Sequence, residues 1–199
     1  MARTQSSTDP LFEGNGAKDP LSILKQIYGY SAFRGKQAAV VDRLVSGGDA
    51  VVLFPTGAGK SLCFQIPALC RDGVGIVVSP LIALMRDQVE ALKQLGVRAA
   101  ALNSSLSREE FADVRRAIAA GDLDLLYVTP ERVVTAGFRE LIGNAQIALF
   151  AIDEAHCFPV FTVLGSKTEG ISNPLTLQPY RLDGVDFIGR ASISRASAD

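Results

Sequence analysis

The fold is decided by an apolar run that leads directly into a glycine loop: Ala50-Val51-Val52-Leu53-Phe54-Pro55-Thr56-Gly57-Ala58-Gly59-Lys60-Ser61. The two glycines let the backbone wrap around a phosphate without a side-chain clash, and Lys60 supplies a positive charge for the β and γ phosphates of a nucleotide. The Ser61 hydroxyl is of the kind that ligates Mg²⁺ in such loops. The predicted nucleotide-binding residues of the loop are Thr56, Gly57, Ala58, Gly59, Lys60 and Ser61.

A second apolar run, Ile147-Ala148-Leu149-Phe150-Ala151-Ile152, ends in the tetrad Asp153-Glu154-Ala155-His156. At the mouth of a strand, Asp153 can hold the same Mg²⁺ as Ser61, and Glu154 can orient or deprotonate an attacking water. The predicted catalytic residues are therefore Lys60, Asp153 and Glu154. The glycine loop alone is also typical of an ordinary helix entry, but the loop and the tetrad together predict hydrolysis of a nucleoside triphosphate with Mg²⁺ as cofactor.

Length and composition limit the alternatives. The chain has 199 residues, which is enough for one α/β domain but not for two of this kind. With 20 Lys+Arg against 21 Asp+Glu, its net charge of −1 means that nucleic acid would have to meet a local basic patch. The polar N-terminus and the lack of any run of about 18 apolar residues predict a cytoplasmic protein without a membrane partner. The spacing of Cys63, Cys70 and Cys157 fits a reducing compartment, and the first two are expected to be packed core thiols.

Short Val-, Ile- and Leu-rich runs alternate with helical patterns along most of the chain, after a polar stretch over 1–18 that we expect to be a disordered tail. The predicted strands are 50–54, 75–79, 98–102, 123–128 and 147–152. The predicted helices begin at Asp19-Pro20 and end by Gly29, and then cover 36–45, 60–69, 81–95, 107–120 and 131–142. This alternation predicts an α/β fold, a parallel sheet with helices on both faces, whose ligands bind at the carboxyl ends of the strands.

The segment upstream of the loop reads Tyr28-Gly29-Tyr30-Ser31-Ala32-Phe33-Arg34-Gly35-Lys36-Gln37 and resembles the adenine-recognition segment of RecQ-type DNA helicases. The loop agrees, because Phe54 replaces the first glycine of the longer phosphate-loop pattern and leaves the T-G-x-G-K-S form of superfamily 2 helicases. The resemblance implies a RecA-like fold and ATP as the nucleotide. It also implies that Tyr28, Arg34 and Gln37 bind ATP, a tyrosine ring by stacking and the Gln37 amide by selecting adenine. Ordinary core or turn positions are the alternative for Tyr30 and Phe33.

Three further segments agree with that family: Ser79-Pro80-Leu81-Ile82-Ala83-Leu84-Met85-Arg86-Asp87-Gln88, Leu102-Asn103-Ser104-Ser105 and Tyr127-Val128-Thr129-Pro130-Glu131-Arg132. Each begins where a predicted strand ends, and in relatives such segments hold the phosphates of a single DNA strand. The resemblance thus implies single-stranded or forked DNA as partner and unwinding in the 3′-5′ direction by the intact family. The implied DNA-binding residues are Ser79, Pro80, Asn103, Ser104, Thr129 and Arg132. For Asn103 and Ser104 a helix cap or turn is the alternative.

His156 is implied to relay between nucleotide and DNA, with an ordinary solvent-facing histidine as its alternative. The resemblance covers roughly residues 19 to 157 and then stops, because the aromatic-rich loop and the S-A-T strand of the family do not follow. We therefore expect a partial RecA-like domain over 19–157 and a divergent tail over 158–199. The missing strand would lie between the phosphate-loop strand and the Asp153 strand. A frameshift, a truncation, a misassembled reading frame or a self-splicing element inserted at Cys157 would each produce this pattern.

Two functions stay open at this point. The first is a RecQ-like ATP-dependent DNA helicase by descent, whose isolated chain lacks unwinding activity because the arginines of a second domain complete ATP hydrolysis in the family. The second is a non-catalytic nucleotide- or DNA-binding interaction module. An unrelated phosphotransferase is disfavoured, because such an enzyme needs neither Gln37 nor the Ser79-Pro80-Leu81 segment.

Overall fold

A computed structural model describes residues 18–55, 57–104 and 106–154 and the backbone of residues 180–186 and 190–195. Four parallel strands form its main sheet: β1 (Val74–Val78), β2 (Ala99–Leu102), β3 (Leu125–Val128) and β4 (Ile147–Ile152). Their order across the sheet is β2-β3-β1-β4. Parallel neighbours need crossover connections, and the helices between the strands supply them. The expected parallel α/β architecture is confirmed.

Seven helices accompany these strands: α1 (Pro20–Gln26), α2 (Gln37–Val45), α3 (Leu62–Cys70), α4 (Ile82–Gln94), α5 (Arg108–Ala120), α6 (Pro130–Val133) and α7 (Ala136–Ile142). Alternate strand residues point to opposite faces of the sheet. Val77 and Tyr127 pack in one core with side chains of α1 to α4. Ile76 and Leu126 pack in a second core with side chains of α5 to α7. The sheet is therefore covered on both faces, as the alternating pattern predicts.

Local sequence signals fix the ends of several helices. The Asp19 carboxylate accepts a hydrogen bond from the Ser22 N–H at 2.8 Å and caps α1. Helix α5 begins with a complete capping box, in which Ser107 and Glu110 each bond the other's backbone N–H, and ends at Gly121, whose backbone is left-handed. These caps explain why the predicted bounds of both helices lie close to the observed ones.

The predicted strand over 50–54 is wrong, because residues 50–55 form no strand. Strand β4 ends the main sheet, and within the described part of the chain nothing pairs with its outer side. A strand needs a hydrogen-bonded neighbour, and apolar sequence alone does not provide one. The Leu53 side chain is accordingly 71% exposed instead of buried in a sheet.

The predicted helix over 131–142 is also corrected, since two short helices, α6 and α7, occupy that stretch. Thr135 separates them: its hydroxyl donates to the Arg132 carbonyl at 2.7 Å and accepts from the Phe138 N–H at 3.2 Å. A threonine side chain in this position competes with the helical backbone for hydrogen bonds and restarts the helix as an N-cap.

Strands β5 (Tyr180–Asp186) and β6 (Arg190–Arg195) pair with each other as an antiparallel ladder and form a separate two-stranded sheet. The rest of the predicted tail over 158–199 and nearly all of the predicted disordered tail over 1–18 lie outside the described residues. The predicted domain boundary at 157 lies outside them as well. In the described part, no helix has the length and apolar character to cross a membrane.

Candidate active site

The carboxyl ends of the four parallel strands lie side by side at one edge of the sheet. The residues that follow the strands form a row across this edge, in the order Asn103, Thr129, Ser79 and Asp153. The backbone N–H groups of Thr129, Ser79 and Asp153 continue the ladder, each donating to the last residue of the neighbouring strand at 3.3, 3.0 and 2.9 Å. The structure thus brings together residues that are far apart in the sequence. We call this edge with its four residues the carboxyl-edge row.

The glycine loop precedes helix α3, whose first N–H groups therefore face the loop. Gly57 and Gly59 have φ angles of 79° and 75°, in the left-handed region that favours glycine. The Lys60 ammonium donates to the Phe54 carbonyl at 3.2 Å, so the lysine is folded back over its own loop. Ser61 makes no capping bond with its hydroxyl at the start of α3. Thr56, the other predicted polar ligand of the loop, lies outside the described residues.

Gln37, the first residue of α2, is joined to the loop by its side-chain amide. It is only 2% exposed. Its Oε1 accepts from the Arg34 N–H at 2.8 Å, and its Nε2 donates to the carbonyls of Ala58 and Gly59 at 3.1 and 3.2 Å. The φ angle of Gly59 favours glycine, and a Cβ atom there would stand 2.5 Å from the Gln37 Nε2, so a larger residue would also have to displace this amide.

The two tyrosines near Gln37 in the sequence differ in how exposed their rings are. Tyr28 packs against the core, and its hydroxyl donates to Gln65 Oε1 at 3.2 Å. The Tyr30 ring is 46% exposed, and the Arg34 guanidinium lies 5.6 Å from its centroid. An aromatic face with a cation beside it is a suitable surface for a nucleotide base. The packing therefore favours the Tyr30 ring over that of Tyr28 as a stacking surface.

Asp153 follows the last residue of β4 and is only 9% exposed. Its Oδ1 accepts from the Glu154 N–H at 3.0 Å, and a hydrogen bond from the Gln88 side chain also reaches its carboxylate. Burial raises the pKa of Asp153 and the nearby Glu154 charge adds to this, while those hydrogen bonds and the Lys60 charge act in the opposite direction. Lys60 and Asp153 are thus electrostatic neighbours, as a shared nucleotide site requires.

Glu154 is the only non-glycine residue of the described chain with a positive φ angle, 51°. Such a conformation costs about 1–3 kcal/mol and is found preferentially at functional sites. The backbone therefore leaves the extended conformation of β4 at Glu154.

Mg²⁺ fits the donor set of this site. This ion is commonly held by one or two carboxylates together with phosphate oxygens and water, so it does not need a dense protein cage. Asp153 offers a carboxylate and Ser61 a hydroxyl that is not used as a cap. The described residues contain no cluster of three or more His, Cys, Asp or Glu side chains.

The predicted DNA-binding residues differ in how far they are buried. Ser79, Asn103 and Thr129 are buried in the carboxyl-edge row, Arg132 and Pro80 are half-buried, and Ser104 is exposed. The hydroxyls of Ser79 and Thr129 and the Nε of Arg132 are buried without a hydrogen-bond partner among the described residues. An unsatisfied buried polar group costs about 1–3 kcal/mol, so a polar partner from outside the described residues would stabilise each of these three atoms.

Three polar residues near this site received no predicted role: Gln65, Gln88 and Tyr127. Gln88 and Tyr127 belong to two of the family-like segments, and Gln65 belongs to none of them. Gln65 is the one polar residue in the stretch Cys63-Phe64-Gln65-Ile66-Pro67-Ala68-Leu69-Cys70, all of which is buried. A polar side chain in so apolar a helix is a signal that could have been used. His156 cannot be compared with its predicted role, because it lies outside the described residues.

The parallel sheet, with the candidate site at its carboxyl edge, defines a RecA-like domain. The family model of the DEAD/DEAH box helicases matches residues 34–178. The chain belongs to this family. The matched range passes residue 157, and the domain boundary predicted there stays a prediction.

Two relatives illustrate the similarity. The ATP-dependent DNA helicase RecQ of Haemophilus influenzae is 47% identical over 153 residues, which make up 73% of this chain and 25% of that protein. The protein of the same name from Pasteurella multocida is 45% identical over 153 residues, 73% of this chain and 24% of its own length. The predicted resemblance to RecQ-type helicases is confirmed. The chain spans about a quarter of the length of these curated relatives.

The crystal structure of a hypothetical ATP-dependent RNA helicase from Sulfolobus tokodaii is similar in fold, with a TM-score of 0.53 and 21% identity. The similarity covers 69% of this chain and 41% of that one. At this identity the likeness supports the fold alone.

Proposed function

We propose that the chain is the ATP-binding part of a RecQ-like ATP-dependent DNA helicase of the cytoplasm. It binds ATP with Mg²⁺ at the glycine loop and single-stranded or forked DNA along the carboxyl-edge row. One observation carries the proposal: Asp153 and the hydroxyls of Ser79 and Thr129, which have no partner among the described residues, lie at the same edge of one sheet, and the Lys60 charge acts on the Asp153 carboxylate. Nucleotide and DNA would therefore contact adjacent strand ends.

Lys60 is the primary phosphate ligand in this proposal. Its ammonium exchanges the Phe54 carbonyl, a neutral acceptor at 3.2 Å, for the β and γ phosphate oxygens. A charged acceptor makes the stronger hydrogen bond, so the exchange favours the bound state. The N–H groups of Gly57 to Ser61 and the start of α3 supply further donors.

Asp153 and Ser61 would hold Mg²⁺, and the ion would neutralise charge on the phosphates. Glu154 orients or deprotonates the attacking water. Gln37 recognises adenine, and Tyr30, in place of Tyr28, provides the exposed ring for stacking, with Arg34 beside it.

DNA is bound through its phosphates. Hydroxyls, amides and one guanidinium can hydrogen-bond the phosphate oxygens, and these contacts do not depend on the base sequence. Ser79, Thr129 and Arg132 each have a buried hydrogen-bond donor without a partner among the described residues. Ser104 and Pro80 each follow a residue of the carboxyl-edge row in the sequence. His156 is close to Asp153 in the sequence, and its proposed role is to couple nucleotide binding to DNA binding.

The alternative is a binding module without turnover. One observation favours it: residues 50–55 form no strand, so the segment before the loop is not fixed by hydrogen bonds within the main sheet. A loose loop would bind nucleotide but would not hold it in line for hydrolysis.

Binding of fluorescent ATP tests the proposal. Lys60→Ala is expected to weaken it by about 10- to 100-fold, since a hydrogen bond to a charged group contributes about 1.5–3 kcal/mol. Lys93→Ala, which removes an exposed lysine near the end of α4, is the matched control and should bind as the wild type does. Equal affinity in all three proteins would refute the nucleotide site.

A further inference from the structure

A line of hydrogen-bonded side chains crosses the core and ends at the candidate metal ligand. Its members are Tyr28, Gln65, Tyr127, Gln88 and Asp153. The Tyr28 hydroxyl donates to Gln65 Oε1 at 3.2 Å, and Gln65 Nε2 donates to the Tyr127 oxygen at 2.9 Å. The Tyr127 hydroxyl donates to Gln88 Oε1 at 2.7 Å, and Gln88 donates to the Asp153 carboxylate. We call these five residues the polar line.

The polar line runs through a region where apolar side chains would be expected. Tyr127 is fully buried, and Gln65 is 5% exposed in a helix whose other buried residues are apolar or thiols. Burying an amide or a phenol is costly unless it is hydrogen-bonded, and each of these two is bonded on both sides. Hydrophobic residues would fill the same space without that requirement, so the polar atoms point to a task other than packing.

The bonds of the polar line all point the same way. Gln88 Oε1 accepts from Tyr127 and also, at 3.5 Å, from Gln65 Nε2, which leaves only the donating NH₂ of Gln88 for Asp153. Burial raises the pKa of Tyr28 and of Tyr127, so both phenols keep their protons. Aligned bonds polarise one another by about 10–30% each, which strengthens the last bond to the carboxylate.

We propose that Gln88 is a positioning residue for Asp153, and that Tyr127 and Gln65 fix its amide so that the carboxylate is held ready for Mg²⁺. The inference rests on the proposed function, because it takes Asp153 as a metal ligand. With the Gln88 NH₂ and the Glu154 N–H both donating to it, the carboxylate has a defined orientation before the nucleotide arrives. Partners that orient metal ligands in this way typically change metal affinity by about 10- to 100-fold when they are removed.

The test measures how much Mg²⁺ tightens nucleotide binding. The dissociation constant of fluorescent ADP is determined for the whole 199-residue chain with Mg²⁺ and with EDTA, and the readout is the constant in EDTA divided by the constant in Mg²⁺. Gln88→Met should lower this ratio by about 10-fold. Tyr127→Phe should lower it less, because Gln88 keeps its second donor at 3.5 Å. The constant in EDTA should stay unchanged in both, since neither residue is hydrogen-bonded to the described part of the glycine loop.

Gln94→Met is the matched control, as it makes the same change at an exposed position of the same helix. Its ratio should equal that of the wild type. Gln88→Glu is a second variant of nearly identical shape that replaces the donor by a like charge, and its ratio should fall at least as far as that of Gln88→Met. A cooperative thermal melt shows that each variant is folded, and the two changes at Gln88 keep the test decisive if Tyr127→Phe does not fold.

A second readout needs no nucleotide. In a double-mutant cycle on the free energy of unfolding, Gln88→Met and Tyr127→Phe together should cost less than the sum of the single changes. Additive costs would contradict the polar line as a unit. A wild-type chain that binds ADP equally with Mg²⁺ and EDTA would overturn the proposed function together with this inference. A wild-type chain with a clear Mg²⁺ effect that persists in both Gln88 variants would overturn the positioning role alone.

Discussion

The side-chain Nε2 of Gln37 donates to the backbone carbonyl of Gly59 at 3.2 Å. The residue proposed to recognise adenine is therefore hydrogen-bonded directly to the glycine loop. The same nitrogen also reaches the Ala58 carbonyl. Two effects of Gln37 therefore have to be separated, base recognition and support of the loop. Support of the loop acts on every nucleotide, whereas base recognition acts on adenine alone.

Gln37→Ala should weaken binding of ATP more than binding of GTP. The loss of loop support lowers both affinities, and the loss of the amide that pairs with adenine lowers that for ATP further. Competition of each nucleotide with a fluorescent analogue gives the two constants. An equal loss for ATP and GTP would refute adenine recognition and leave Gln37 as a support of the loop.

Thr129→Val should weaken binding of single-stranded DNA by about 2- to 10-fold, the range of one neutral hydrogen bond. The same change should leave thermal stability unchanged or raise it, because the Thr129 hydroxyl is buried without a partner among the described residues. Fluorescence anisotropy with a labelled oligonucleotide and a thermal melt provide the two measurements.

Thr135→Val is the matched control for that experiment. Its hydroxyl caps α7, so the substitution should cost about 1 kcal/mol of stability. Its DNA binding should stay that of the wild type. A loss of stability in Thr129→Val as large as in Thr135→Val would show that the Thr129 hydroxyl is bonded within the protein.

The thiols of Cys63 and Cys70 should be unreactive in the folded chain. Burial raises the pKa of Cys63 to about 11 and that of Cys70 to about 12, and only the thiolate attacks a disulfide reagent. In a Cys157→Ser background no thiol should react at about pH 8, and two should react in denaturant. Rapid reaction of either thiol without denaturant would show that α3 is not packed in the core.

These thiols also predict the direction of a pH effect. Both pKa values lie above the ordinary value of 9.0, so their contribution to stability is fully present below that pH. It should be lost as the pH rises through about 11 to about 12. The Cys63→Ala and Cys70→Ala double variant should show a weaker decline of melting temperature over this range.

Ser107→Ala should lower the melting temperature by about 2–4 °C. The substitution removes the side-chain half of the capping box of α5, which is typically worth about 1 kcal/mol. Ser107→Asp keeps an acceptor for the Glu110 N–H and should retain most of the stability. An alanine variant as stable as the wild type would mean that the start of α5 contributes nothing to folding.

Much of this fold could be predicted from local signals. Strands β1 to β4 and the start of α5 were expected within a residue or two, because apolar runs and capping residues act over short distances. The expected strand at 50–54 failed for a physical reason: pairing depends on a neighbour, and a local pattern does not report whether that neighbour exists. Thr135 likewise acted through a side-chain bond that helical periodicity ignores.

One part of the candidate site could likewise be predicted from the sequence and another part could not. The glycine loop and Asp153 are visible as motifs, because a phosphate and a metal each demand particular residue types at close spacing. The polar line is not, since Gln65 and Tyr127 are 62 residues apart in the sequence and only the packing of α3 against β3 brings them together. The preference for Tyr30 over Tyr28 as the stacking residue likewise depends on which ring is exposed, and the sequence does not show this.

Turnover of ATP by the 199-residue chain should be very slow, even with single-stranded DNA present. The family resemblance assigns the γ-phosphate arginines to a second domain, and catalysis without such an arginine is typically slower by about 10³–10⁵ in kcat. A coupled phosphate-release assay measures the rate. A DNA-stimulated rate of about one per second that Glu154→Gln abolishes would contradict this expectation.

The central claim is that nucleotide and DNA bind at one edge of the sheet, and backbone ¹H–¹⁵N chemical shifts test it most directly. ATP with Mg²⁺ should shift the signals of Gln37, Gly57 to Ser61 and Asp153. Single-stranded DNA should then shift those of Ser79, Asn103 and Thr129. Signals at the opposite ends of the strands, such as those of Val74 and Leu125, should not move. Shifts confined to that opposite edge, or an unchanged spectrum with both ligands, would contradict the account.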